Sequence, residues 1–194
     1  MGLAIGIMSL IGYRNTGSPT LFRLSIAFLS ISTGFLVVWL GYVAELLPAR
    51  PGQPGWWVDT LGVGIQTIGY FFIAFSHGIK SFFPKTRYFR SVGILPIFLA
   101  SSVQIGHILR SVSFILLTYG AIETILSYLE SKNRGALSVA IGLALLAFGE
   151  FMGWYSAVFP ESILYSVSLL IKIIGLAALF IPVSRIPFKR IRLE

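Results

Sequence analysis

The chain alternates long apolar runs with short polar punctuation. Residues 162 to 184, SILYSVSLLIKIIGLAALFIPVS, are apolar throughout except for Lys172 near the middle, and the run has about the length that crosses a bilayer as a helix. Residues 20 to 47, 58 to 82, 108 to 129 and 135 to 158 have the same character. Residues 1 to 13 are apolar too, but as a helix they reach only about 20 Å, short of a hydrocarbon core of about 30 Å. The stretch 91 to 129 is too long for one crossing, and it divides near Gly106 and His107 into a short span (91 to 105) and a full one. Between the runs lie Arg14, Asn15, Gly17 and Pro19, then PARPGQPGWW, FFPKTRYFR, SKNRG, and Pro160 with Glu161, all turn and loop chemistry. The pattern predicts an all-α integral membrane protein of about seven transmembrane helices, the first short or truncated, in a single polytopic domain over 1–194.

Composition agrees. Apolar residues make up 56 % of the chain and charged residues 11 %, against about 25 % charged in soluble domains. The net charge of +8 does not point to nucleic acid, because the basic residues sit in alternate loops. Twelve of the fifteen Lys and Arg residues fall near 14–23, 80–90, 130–135 and 185–194, whereas Arg50 and Arg110 fall on the other side and Lys172 lies within a span. That bias predicts seven crossings of the cell membrane with the N-terminus outside and the C-terminus cytoplasmic. With no cysteine, disulfides and thiolate-ligated metals are excluded. The opening MGLAIGIMSLIGY lacks the basic start and small-residue cleavage site of a signal peptide, and MGLAIG lacks the Ser or Thr of a myristoylation signal.

The chain also matches itself. A shift of 115 places Tyr13 on Tyr128, Ile26 on Ile141, Gly34 on Gly149 and Trp39 on Trp154; past the Pro/Gly loop a shift of 106 places Gln66 on Lys172 and Gly69 on Gly175. This predicts a parallel 3+1+3 internal repeat: repeat A over 1–84, a linker helix over 91–105, and repeat B over 108–187. In architecture alone the arrangement resembles parallel-repeat transporters such as the SWEET sugar carriers.

Lys172 is the leading candidate for chemistry. An ammonium at mid-depth costs at least about 2.5 to 3.5 kcal/mol, so it should face protein or a wet cavity. Tyr165, Ser168 and Gly175 share its helix face at i−7, i−4 and i+3. Glu150, in the preceding antiparallel span, differs in depth by only about 4 Å and is the expected partner. Glu123 lies roughly 8 Å away in depth and is the weaker candidate, while Gln66 is the counterpart of Lys172 in the first repeat. A lysine midway along a seventh helix, with the N-terminus outside, resembles the microbial rhodopsins, which implies retinal held there as a Schiff base. The third span departs from that pattern, since 58–82 carries no interior acid to act as counter-ion and Asp59 sits at the membrane edge.

The other motifs read as architecture. Gly149 and Gly153 form a GxxxG pair with Gly142 one heptad before, a small face for close helix packing together with Gly175. Trp39, Trp56, Trp57 and Trp154 are expected as membrane-interface anchors. His77 and His107 fall near opposite faces, in no metal-ligand spacing, and are expected at the interfaces. Neither metal nor cofactor is expected. No nucleophile–base spacing marks an enzyme. The function expected first is a non-catalytic accessory or sensor-like helical module that packs against partner subunits or a second copy within the lipid bilayer. The alternative is a small transporter or channel with a midplane polar site between the repeats, with a retinal-binding protein as a minor third.

Overall fold

The computed structural model describes residues 1–46, 56–78, 105–159 and 162–184. The expected linker helix at 91–105, the Pro/Gly loop, the basic loop at 80–90 and the basic tail lie outside the described residues. Within them the chain is helical: α1 Gly2–Thr16, α2 Pro19–Leu46, α3 Trp56–Gly78, α4 Ile105–Ser131, α5 Arg134–Val158 and α6 Ser162–Ser184.

Five of these are long and apolar enough to cross a membrane, over Pro19–Gly41, Trp57–Ser76, Ile105–Ser131, Arg134–Ser156 and Ile163–Val183. A chain with five such helices is a multi-pass helical membrane protein. At 15 residues, α1 reaches about 22 Å, as its short apolar run predicts. α4 runs from Ile105 and carries Gly106 and His107 in its first turn; the expected short span before them lies outside the described residues. Arg110 lies in the second turn of that helix, within the expected 108–129 span.

Each described helix packs on the next, and α1 also meets α6. Apolar contacts between the layers come from Ile5, Phe28, Ile31, Tyr70, Ile73, Leu117, Leu143, Leu146, Leu176 and Leu179, all buried. Small residues set the closest approaches. A methyl built on Gly142 would lie 2.9 Å from the Gly175 carbonyl, and one on Gly175 would lie 3.0 Å from the Gly142 carbonyl. The α5 and α6 backbones therefore touch where both side chains are absent.

The contacts of α1–α2–α3 recur in α4–α5–α6 in register. Gly17 ends α1 in the left-handed region at φ 66°, and Lys132 follows α4 at φ 53°. Gly17 N–H donates to the Tyr13 carbonyl and Lys132 N–H to the Tyr128 carbonyl, each at 2.7 Å. Thr16 Oγ1 donates to the Gly12 carbonyl and Ser131 Oγ to the Ser127 carbonyl, each at 2.8 Å. Ser18 N–H donates to Thr16 Oγ1 and Asn133 N–H to Ser131 Oγ, each at 3.3 Å. All these pairs are 115 residues apart.

The glycines repeat the correspondence. Gly34 abuts the Gly62 carbonyl and Gln66 as Gly149 abuts the Ser168 carbonyl and Lys172. Gly69 abuts the Ala27 carbonyl and Ile31 as Gly175 abuts the Gly142 carbonyl and Leu146.

The two triplets meet through α3 and α4, which run parallel. Asp59 pairs with Arg110, Thr67 with Ser113, and Ile73 lies near Gly120, so both helices begin at the same face of the bundle. The end of α3 and the start of α4 therefore lie at opposite faces of the bundle.

Candidate polar site between the two triplets

Five helices bring polar and aromatic side chains to one buried cluster. On α5, Glu150 has no exposure at all. Its Oε1 lies 2.7 Å from Lys172 Nζ of α6 and accepts from the Tyr70 hydroxyl of α3 at 3.0 Å. The Lys172 ammonium also lies 5.9 Å from the centroid of the Phe35 ring of α2, within reach of a cation–π attraction. Taking both charges out of water is costly, and the pair holds only because attraction and hydrogen bonds offset that cost. The expected Lys172–Glu150 partnership is thus the geometry of the protein.

Glycine makes the arrangement possible. A methyl on Gly149 would lie 2.6 Å from Lys172 Cγ, so the lysine stem crosses α5 over bare backbone. Four residues on, a methyl on Gly153 would lie 2.5 Å from Arg110 Nη1 and 3.1 Å from Ser168 Oγ. The GxxxG pair is therefore a groove for two cationic side chains inside the protein. Ser168, also buried, donates to the Gly149 carbonyl at 2.8 Å, pinning α6 to α5 between the two cations.

Arg110 extends the cluster toward one face. Its Nη2 lies 3.0 Å from Asp59 Oδ2 and 3.4 Å from Oδ1. The Arg110 side chain is 7 % exposed and that of Asp59 38 %, so this is the wetter end of the cluster. Asp59 stands in the first turn of α3, and the eleven residues from there to Tyr70 span about 16 Å of helix. Two cations and two carboxylates are thus strung along that depth, with Tyr165 close enough to Arg110 to interact electrostatically.

Not every buried polar atom finds a partner. Glu150 Oε2, Gln66 Oε1, Trp154 Nε1 and His107 Nδ1 are enclosed without a hydrogen bond among the described residues. Gln66 packs on Gly34, one turn from Tyr70 on the same face of α3.

The remaining candidates are dispersed. Glu123 is half-buried beside Tyr119, thirteen residues and about 20 Å along α4 from Arg110. Trp39 and Trp57 are 61 % and 53 % exposed on the outer surface. Trp154 differs: its ring stacks on Phe151 at 6.2 Å and its indole nitrogen faces inward. His107 is buried in the first turn of α4. The side chains of Trp56 and His77 lie outside the described residues. Among the described residues, no group of three or more His, Cys, Asp or Glu side chains could hold a metal ion.

Sequence reasoning missed Tyr70, Phe35, Asp59 and Arg110 as site residues. A signal existed for the charged two, since Asp59 and Arg110 carry opposite charge at the starts of spans assigned to the same side. Tyr70 stands at i+4 from Gln66, which would have flagged it. No protein-family model, curated protein or solved structure matches the chain.

Proposed function

We propose that the protein is a small carrier of the cell membrane, with its substrate site at the polar cluster between two three-helix repeats related by duplication. The observation that carries this reading is Glu150, which is fully buried with one carboxylate oxygen doubly engaged and the other without a partner. An enclosed acceptor left unsatisfied costs about 1–3 kcal/mol, and more when charged. A purely structural clamp would fill both oxygens. A binding site keeps one for its ligand, and Gln66 Oε1 is a second acceptor in the same condition.

The recurring turn geometry and glycine contacts support a 3+1+3 duplication. The parallel run of α3 and α4 supports a seventh crossing between them. With Arg110 inside the bundle, Arg50 is the one basic loop residue left on the side assigned to the outside, which favours a cytoplasmic C-terminus. The accessory-module reading, in which Lys172–Glu150 is a closed clamp, accounts for the 2.7 Å pair and leaves the vacant oxygens unexplained.

The absence of cysteine gives a clean test. Ser168→Cys and, separately, Ser113→Cys place a thiol at the cluster and at the α3–α4 seam. In sealed vesicles, a carrier that alternates its access exposes Ser168→Cys to a membrane-impermeant maleimide from each side in turn. Labelling from neither side, in both variants, would refute the carrier and leave the partner-binding module.

A further inference from the structure

The same cluster points to the class of ligand, an inference that rests on the carrier reading. Two of the four buried atoms without a partner among the described residues, Glu150 Oε2 and Gln66 Oε1, are carbonyl or carboxylate oxygens, and Gln66 stands one turn from Tyr70, whose hydroxyl donates to Glu150. Oxygen-only sites suit hard cations. A single carboxylate, in no group of three or more His, Cys, Asp or Glu among the described residues, matches one positive charge. Asp59 is not available to a cation at Glu150, because Arg110 holds it at 3.0 Å.

One cation already occupies the other oxygen: the Lys172 ammonium, 2.7 Å from Oε1. A second positive charge beside it in a medium this poor in water is strongly disfavoured. The conflict disappears if the ammonium gives up its proton, because a buried lysine, unlike arginine, is able to lose its charge.

We propose that Glu150 and Gln66 provide the oxygens of a monovalent alkali-cation site, and that a cation entering it discharges Lys172, so that one cation exchanges for one proton. In the step, an N–H bond of the Lys172 ammonium breaks and its proton passes to water. The amine keeps the electron pair, and the cation replaces the lost charge against the Glu150 carboxylate. Charge in the cluster is unchanged, and no redox partner is needed.

The surroundings fit this exchange. From α2 the Phe35 ring faces the ammonium, and from α3 the Tyr70 hydroxyl holds Glu150 Oε1 in place. From α4 comes Arg110, whose charge is offset by Asp59, with His107 a turn before it. On α6 itself, Tyr165 lies on the Arg110 side of Lys172. Apart from Glu150, no acid in this set stands free to replace the ammonium.

The test uses the full-length protein, purified and weakly buffered near neutral pH. Addition of sodium, lithium or potassium chloride should release one proton per protein, read with a pH-sensitive dye, while choline chloride releases none. Apparent cation affinity should rise about tenfold per pH unit while Lys172 remains protonated in the cation-free state. In proteoliposomes the same salts should drive proton movement, and both Glu150→Gln and Lys172→Arg should abolish it.

Lys172→Arg keeps the ion pair and removes the exchangeable proton. Retained exchange in that variant, or equal release with choline, overturns the proposal, as does the absence of release from the wild-type protein. If exchange is absent while Ser168→Cys is still labelled from both sides, the cation proposal falls and the carrier reading stands. If both fail, both fall.

Discussion

Glu150→Gln changes almost nothing but charge, which makes it the sharpest probe of the cluster. The amide keeps the shape of the carboxylate, and its oxygen can still accept from the Tyr70 hydroxyl, which lies at 3.0 Å. What is lost is the counter-charge 2.7 Å from Lys172 Nζ. Among the described residues the other carboxylate of the cluster, Asp59, is engaged by Arg110. Removing one member of a buried pair costs about 3–5 kcal/mol, because the survivor is an uncompensated buried charge. The unfolded reference in a membrane also finds polar partners, which sets the expectation at about 3 kcal/mol, or roughly a hundredfold in the folded-to-unfolded ratio.

Adding Lys172→Met removes the orphan. The double variant should then return to within about 1 kcal/mol of the wild type, since apolar replacement of a buried pair is often neutral or better. Reversible unfolding of the four proteins by titrating SDS into mixed micelles closes the cycle. If the double variant loses the sum of the two single losses, the side chains are not coupled, and the account of this cluster as an ion pair is refuted.

Three further outcomes follow from the packing. Lys132→Gly relieves a left-handed residue at φ 53°, worth about 1 kcal/mol, and loses an exposed contact of Nζ with the Tyr128 ring worth about 0.5. The thermal midpoint should therefore rise slightly, and Gly17→Ala, at the matching turn, should lower it. Gly142→Ala drives a methyl to 2.9 Å from the Gly175 carbonyl and 2.6 Å from Leu179 Cγ. It should cost about 1–3 kcal/mol, whereas Gly64→Ala, which meets only Leu109 Cδ1 at 3.6 Å, should be close to neutral in the same melt. Asp59→Asn leaves Arg110 without its counter-charge at the wetter end of the cluster. It should be destabilising, but by less than Glu150→Gln, because Asp59 is partly solvated; an equal loss would place Asp59 as deep as Glu150.

The apolar runs made the helices legible, because in a bilayer an unbroken run has no fold open to it but a helix. The Lys172–Glu150 pair was legible for a related reason. Two isolated opposite charges at similar depth in adjacent antiparallel spans have few alternatives. Arg110 was not, because Gly106 and His107 look like a turn in sequence. The polar start of α4 is instead solvated by protein, through Asp59 and the α5 glycines. Phe35 carries no signal of its own in a chain with so many aromatic residues, and Tyr70 only its place one turn from Gln66; both join the site through contacts between triplets that periodicity within one helix does not encode. The GxxxG pair was legible as close packing, but which neighbour fills the groove depends on the lengths of Lys172 and Arg110, set on two other helices.

The register of the two triplets explains why the cluster holds one inner ion pair and not two. The shift of 115 carries Phe35 onto Glu150, and the shift of 106 carries Gln66 onto Lys172. The positions that hold the buried pair in the second triplet therefore hold a ring and an amide in the first, and Phe35 is the ring that faces the Lys172 ammonium. Had both triplets kept the charged set, two carboxylates and two ammoniums would share one dry interface, where each added ion costs several kcal/mol of desolvation. Two neutral sets would leave nothing to attract an ion. With one charged and one neutral set across the seam, a single ion pair is held against an aromatic face. On the carrier reading, this asymmetry, more than the lysine alone, is what would make the interface a site.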